Sequence, residues 1–213
     1  MLIVHHLGVS QSERIVWLCE ELELPYELKV YDRDPVTRLA PADYKALHPI
    51  ETAPVITDGP VVLGETGAIV DYILARYGEG RLAVAPDAPN FADYLFWLHF
   101  ANGSLVPSEM SAWLGSLFAG GQPNALAEVV GSRATRAWRL VETRLGDVPY
   151  LAGEAFTAAD IVSVFGLTTM RAFTGRTLDD YPNVRAYLAR IGERPAYRRA
   201  MAKGDPALTP MLT

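Results

Sequence analysis

Two serines stand just upstream of an apolar helical face. Ser10 and Ser12 follow the extended run Leu2–His6 and precede Ile15, Leu18, Cys19 and Leu22, which recur at helical spacing. Ser10-x-x-Glu13 has the form of a capping box, in which a serine oxygen accepts a first-turn N–H and the acid reaches back. On spacing alone both serines are helix-start residues. The same place favours an anion, because the first turn of a helix exposes N–H groups and positive potential. Glu65-Thr66 repeats the arrangement before a second helix. Cys19, the single cysteine, lies on the apolar face well past the helix start and reads as a small core residue. With no C-x-x-C and no cysteine at position 10, dithiol chemistry has no sequence support.

The elements that must hold these groups alternate over residues 1–80. Leu2–His6 is extended, a helix follows, and Tyr26–Tyr31 is extended again after Leu24-Pro25. A weak helix spans Pro41–Leu47. Pro54–Thr57 and Val61–Leu63 flank Asp58-Gly59-Pro60, a hairpin signal, and Pro54 by itself is merely the first residue of a strand. A helix over Thr66–Tyr77 closes a βαβαββα order, which implies one sheet with helices on its faces. Gly78–Pro89 is rich in Gly, Pro, Ala and Asp and reads as a linker.

Beyond the linker only helices are expected. Phe91–Val106 is apolar nearly all round. Ala134, Trp138, Val141 and Leu145 mark a second helix, separated from the first by Gly120-Gly121-Gln122-Pro123, and Val184, Tyr187, Leu188 and Ile191 mark a later one. Thr157 and Asp160 form a capping box with Phe156 and Ile161 as hydrophobic staple, at the head of an apolar helix that should centre the second core. The expected domains are 1–80, an α/β unit; 81–89, the linker; and 90–213, all helical.

Composition narrows the function classes. Half the residues are hydrophobic and 21% charged, which suits a globular fold, and the net charge of −6 argues against nucleic acid as a partner. The imbalance sits in residues 1–80, with 6 Lys+Arg against 13 Asp+Glu, a net of −7. No apolar run reaches the ~18 residues of a membrane span, so no membrane partner is expected. One cysteine and no signal-like start fit a cytoplasmic home.

Four segments in order carry a resemblance to glutathione transferases over essentially the whole chain. They are Gly8–Arg14; Thr52-Ala53-Pro54-Val55-Ile56; Glu65-Thr66-Gly67-Ala68-Ile69 with Tyr72 and Tyr77; and Leu151–Asp160. The chain is most similar to serine-type bacterial and fungal members. The resemblance implies a thioredoxin-like N-terminal domain, an all-α C-terminal bundle, a homodimer, and glutathione as co-substrate without a metal. It implies that Ser10, with Ser12 as runner-up, donates a hydrogen bond to the glutathione sulfur and stabilises thiolate, the reactive form. Glutathione would also be held by Ser12, Thr52, a cis-Pro54 and the Val55 backbone, with Glu65 on its α-amino group and Thr66 on its γ-glutamyl carboxylate. The thiolate would attack hydrophobic electrophiles, by conjugation or peroxide reduction, in a detoxification role. Trp97, Phe100, Ser104 and Trp113 are the candidates for the electrophile pocket.

The chain departs from the family pattern at Glu51-Thr52, where relatives commonly carry Gly followed by Lys or Gln, and at Asn102, where an acid is frequent. Thr52 brings no charge to the glycyl carboxylate of glutathione. Glu51 and Thr52 favour the alternative of a non-catalytic binding or regulatory protein that keeps the fold with weak or no glutathione affinity.

Overall fold

The computed structural model describes residues 1–213 apart from 121 and 123, so half of the Gly120–Pro123 break lies outside the described residues. The chain forms two compact units, Met1–Ala83 with Gly192–Pro210, and Val84–Ile191 with Met211–Thr213. The sequence pattern assigns all of 90–213 to the helical domain; Gly192–Pro210 instead packs within the first unit.

In the first unit β1 (Leu2–Leu7), α1 (Glu13–Glu21), β2 (Glu27–Tyr31), α2 (Ala42–Lys45), β3 (Val55–Asp58), β4 (Val61–Gly64) and α3 (Thr66–Tyr77) follow the expected βαβαββα order. The sheet runs β2-β1-β3-β4. β1 and β2 are parallel, as a helical crossover requires. β3 is antiparallel to both β1 and β4, and Gly59 supplies the left-handed turn between β3 and β4 at φ 58°. Register places His5 opposite Val55 and Val55 opposite Gly64. The end of β1, the start of β3 and the end of β4 therefore share one edge of the sheet. Leu7, Tyr31, Tyr44 and Val55 pack together beneath that edge.

A helix not anticipated from the sequence completes this unit. α10 (Pro195–Gly204) packs against α1. Trp17 meets Tyr197 edge-on, Arg194 forks onto both oxygens of Glu21 at 2.7 Å, and Arg199 pairs with Glu20 at 2.9 Å. Glu20 is held below the usual carboxylate range: burial pushes it up, but hydrogen bonds from Lys203, Tyr26 and Arg199 outweigh burial.

The second unit is helical, with only an isolated bridge between Tyr150 and Gly153 among its described residues. The apolar segment after the linker is longer than expected and interrupted. α4 (Phe91–Phe100) passes through a π-helical turn (Ala101–Leu105) into α5 (Val106–Ala119). Pro107 at the second position of α5 explains the irregular turn, since it cannot donate to a carbonyl in the preceding turn. α6 (Ala125–Asp147) is capped by Asn124, whose side chain accepts from Leu126 N–H and Ala127 N–H, and it buries the expected Ala134, Trp138, Val141 and Leu145. α7 (Ala158–Leu167) is buried along its whole length. Gly166 lets it approach the π turn, where a Cβ would lie 2.9 Å from Leu105. α8 is a single turn, Arg171–Thr174, and α9 spans Pro182–Glu193.

The capping box of α7 is present, and its acid does more than cap. The Asp160 carboxylate accepts Thr157 N–H at 2.9 Å, Leu151 N–H at 2.9 Å and the Tyr187 hydroxyl at 3.0 Å. Thr157 Oγ1 accepts Ala159 N–H at 3.3 Å. A short-range motif thus ties two distant segments to the head of the core helix.

Candidate functional site

The loop from β1 into α1 carries a dense buried polar cluster. α1 begins at Glu13, with Ser10 three residues ahead of it. Ser10 Oγ accepts Ser12 N–H at 3.2 Å and shares a hydrogen bond of 2.8 Å with Ser12 Oγ. Ser12 Oγ accepts Leu7 N–H at 3.1 Å and lies 2.9 Å from His6 Nδ1. His6 Nε2 is 3.1 Å from Asp205 Oδ2, at the C-cap of α10. The other Asp205 oxygen accepts Val9 N–H at 2.8 Å. Val9 has φ 52°, a left-handed value that costs a β-branched residue of order 1–3 kcal/mol, and Asp205 and Arg33 hold it there from either side. Ser10, Ser12, His6 and Asp205 are all buried, His6 and Ser12 completely.

The remaining sequence candidates of this unit share the same sheet edge. The Ala53–Pro54 peptide is cis, and Thr52 before it is exposed. Thr66 is buried at the first turn of α3, preceded by exposed Glu65 at φ 68°. Val55 pairs with His5 of β1 and Gly64 of β4, and Ala53 stands just ahead of that ladder. Glu51 is exposed at φ 57°.

Cys19 is fully buried, and burial first, then Glu20, pushes its thiol up to about 12. It should stay silent toward an aromatic disulfide reagent in native protein and react stoichiometrically once denatured; rapid native labelling would show the helix core opening. Arg14, also buried, donates to Gln11 Oε1 at 2.9 Å, and burial lowers its guanidinium to about 9.

Known proteins share this fold and match most of the chain. Residues 10–76 match the model of the glutathione S-transferase N-terminal domain, and residues 105–195 that of the C-terminal domain. The chain is 32% identical to Glutathione S-transferase 3 of Schizosaccharomyces pombe, over 95% of this chain and 88% of that protein. It belongs to the glutathione S-transferase family. Among solved structures, a glutathione S-transferase from Actinobacillus pleuropneumoniae superposes with a TM-score of 0.88 at 34% identity, covering 100% and 99% of the two chains. A family member from Pseudomonas fluorescens, solved with two glutathione bound, shares the fold at a TM-score of 0.79 and 24% identity, over 94% of this chain and 92% of that one.

In this transferase-family chain the four aromatic and polar candidates of the helical unit do not converge. Phe100 and Ser104 line a cavity of about 450 Å³ with Pro107, Ser111, Arg133 and Arg136. Trp113 lines another of about 390 Å³ beside Glu109, Arg176 and Tyr181. Trp97 is buried, edge-on to Phe96 and Phe100. Sequence reasoning misses the buried Glu109, paired with Arg176 at 2.7 Å. It also misses His6 and Asp205, whose spacing forms no pattern with the serines. No group of His, Cys, Asp and Glu among the described residues could hold a metal, and no described helix is long and apolar enough to cross a membrane.

Proposed function

We propose that the protein binds glutathione at the β1–α1 edge and activates it as thiolate for attack on hydrophobic electrophiles. Family membership supports the cofactor, and the hydrogen-bonded Ser10–Ser12 pair at 2.8 Å is the observation that carries the chemistry. Ser10 is the donor to the sulfur and Ser12 supports it from within. Thr66 and the first turn of α3 take the γ-glutamyl carboxylate, Glu65 the amino group, and Ala53 with the cis-Pro54 the cysteinyl backbone. Electrophiles would draw on the cavities lined by Phe100 and Ser104 or by Trp113, and the active form would be a homodimer in the cytoplasm.

Calorimetry with glutathione at pH 7, alongside the ultraviolet absorbance of thiolate, tests this reading. Binding with a thiolate signal is expected well below the ~8.5 at which a free thiol ionises. Absence of binding at millimolar glutathione would overturn it, and would point to Glu51 and Thr52 in a protein of the binding type.

A further inference from the structure

The buried groups behind Ser10 form an unbroken hydrogen-bonded line: Ser10 Oγ, Ser12 Oγ, His6 Nδ1, His6 Nε2 and Asp205 Oδ2, with successive separations of 2.8, 2.9 and 3.1 Å across the three contacts. We propose that this line is a proton relay, in which the His6–Asp205 pair accepts the glutathione thiol proton through the two serines. The inference rests on the glutathione reading above and adds where the proton goes.

Valence supports it, because the line is fully satisfied in two opposite directions. With His6 neutral, Nε2–H donates to Asp205 and the bare Nδ1 accepts the Ser12 hydroxyl. Ser12 Oγ then accepts Leu7 N–H and the Ser10 hydroxyl, while the Leu7 carbonyl at 3.3 Å is the longer of the two acceptors its proton reaches, against 2.9 Å to His6 Nδ1. Ser10 accepts Ser12 N–H and turns its remaining lone pair outward, ready for a thiol S–H. With His6 doubly protonated, Nδ1–H donates to Ser12, Ser12 donates to Ser10, and Ser10 presents its hydrogen outward, ready for a thiolate. In both states each serine oxygen donates once and accepts twice.

One proton converts the first state into the second. The S–H bond breaks and sulfur keeps the electron pair. Ser10 takes that proton while passing its own to Ser12, and Ser12 passes its own to His6 Nδ1. The products are a thiolate facing a donor hydroxyl and an imidazolium facing the Asp205 carboxylate. Solvent has little part in it, since His6 and Ser12 are fully buried and Ser10 nearly so. His6 and Asp205 are positioning residues here, as neither touches the sulfur.

The surroundings hold the pair in place. Gly204 packs over the imidazole, and a Cβ there would sit 3.1 Å from Nε2 and 3.3 Å from Cε1. The charged groups facing the pair are Asp205, at the end of α10, and Arg33, after β2, which bonds the Gly8 and Val9 carbonyls and interacts electrostatically with Asp205. The second oxygen of Asp205 fixes Val9 N–H, so the proton-holding acid also shapes the serine loop.

The test is a proton inventory. Glutathione is titrated into the protein at pH 7 in buffers of different ionisation enthalpy, while thiolate absorbance is recorded. Wild type should form thiolate and release almost no proton to the buffer. About one proton released per thiolate formed would overturn the relay and leave the glutathione reading intact; no thiolate at all would sink that reading instead. In Asp205→Asn the thiolate titration should move up by about one pH unit, a roughly ten-fold weaker acidity of the bound thiol. S-methylglutathione, which has no thiol proton, should bind this variant within about two-fold of wild type. An unchanged thiolate titration in Asp205→Asn would also overturn the proposal, and should that variant not fold, the wild-type inventory decides alone.

Discussion

Ser10→Ala is expected to lower kcat/KM for glutathione conjugation by about 10²–10³-fold, the usual cost of losing one preorganised donor to a developing or bound anion. The loss should fall mainly on the reactive step. KM for glutathione should change little, because the proposed site puts its glutamyl end on Thr66 at the start of α3, a different element from the serine loop. Ser12→Ala should be at least as damaging. Its oxygen serves Leu7 N–H, Ser10 and His6 together, so its removal strands a buried N–H as well as cutting the line. Steady-state kinetics with a chromogenic electrophile, read beside the thiolate titration, checks both. A Ser10→Ala enzyme within about three-fold of wild type would remove Ser10 from the chemistry.

Asp160→Ala is expected to destabilise the helical unit by about 3–6 kcal/mol, since Leu151 N–H, Thr157 N–H and the Tyr187 hydroxyl each lose a buried partner worth roughly 1–3 kcal/mol. At ~2–4 °C per kcal/mol the melting temperature should drop by roughly 10 °C or more. Burial lifts this carboxyl to about 6, against hydrogen bonds that pull it down. A folded value above the unfolded one means a contribution fully present below the ordinary carboxylate range and reduced as pH rises through about 6. The gap between wild type and Asp160→Ala should therefore widen as pH is lowered from about 8 toward about 5. Thr157→Ala, which removes one cap, should cost only about 1 kcal/mol. Thermal denaturation over that pH range measures all three; a flat gap would mean the carboxyl stays ionised throughout.

What the sequence makes legible is local. Thr66–Tyr77 carries its own period and start signal, and Thr157 and Asp160 face each other across three residues, so both can be read directly. The partners of Asp160 at Leu151 and Tyr187 cannot, because nothing in a sequence spacing of 9 or 27 requires a contact. The same holds at the site. Ser10 and Ser12 stand out beside a helix start, whereas His6 looks like one more strand residue. Asp205, lying in a charged and weakly patterned stretch, gives no sign of its role. That β3 lies between β1 and β4 is equally hidden, because strand order is a tertiary property. Pro107 is the available hint of the π turn: a proline inside an apolar helical run must be accommodated somehow.

The packing of Gly192–Pro210 into the first unit reverses the usual order of assembly. Domains ordinarily fold as they emerge from the ribosome, the N-terminal one first. Here the carboxylate that pins Val9 arrives 196 residues later, after the entire α4–α9 run has been made. The first unit to be synthesised is the last to be finished. A nascent chain holds an incomplete serine loop throughout translation of the second unit, and a fragment ending before Gly192 can never close it.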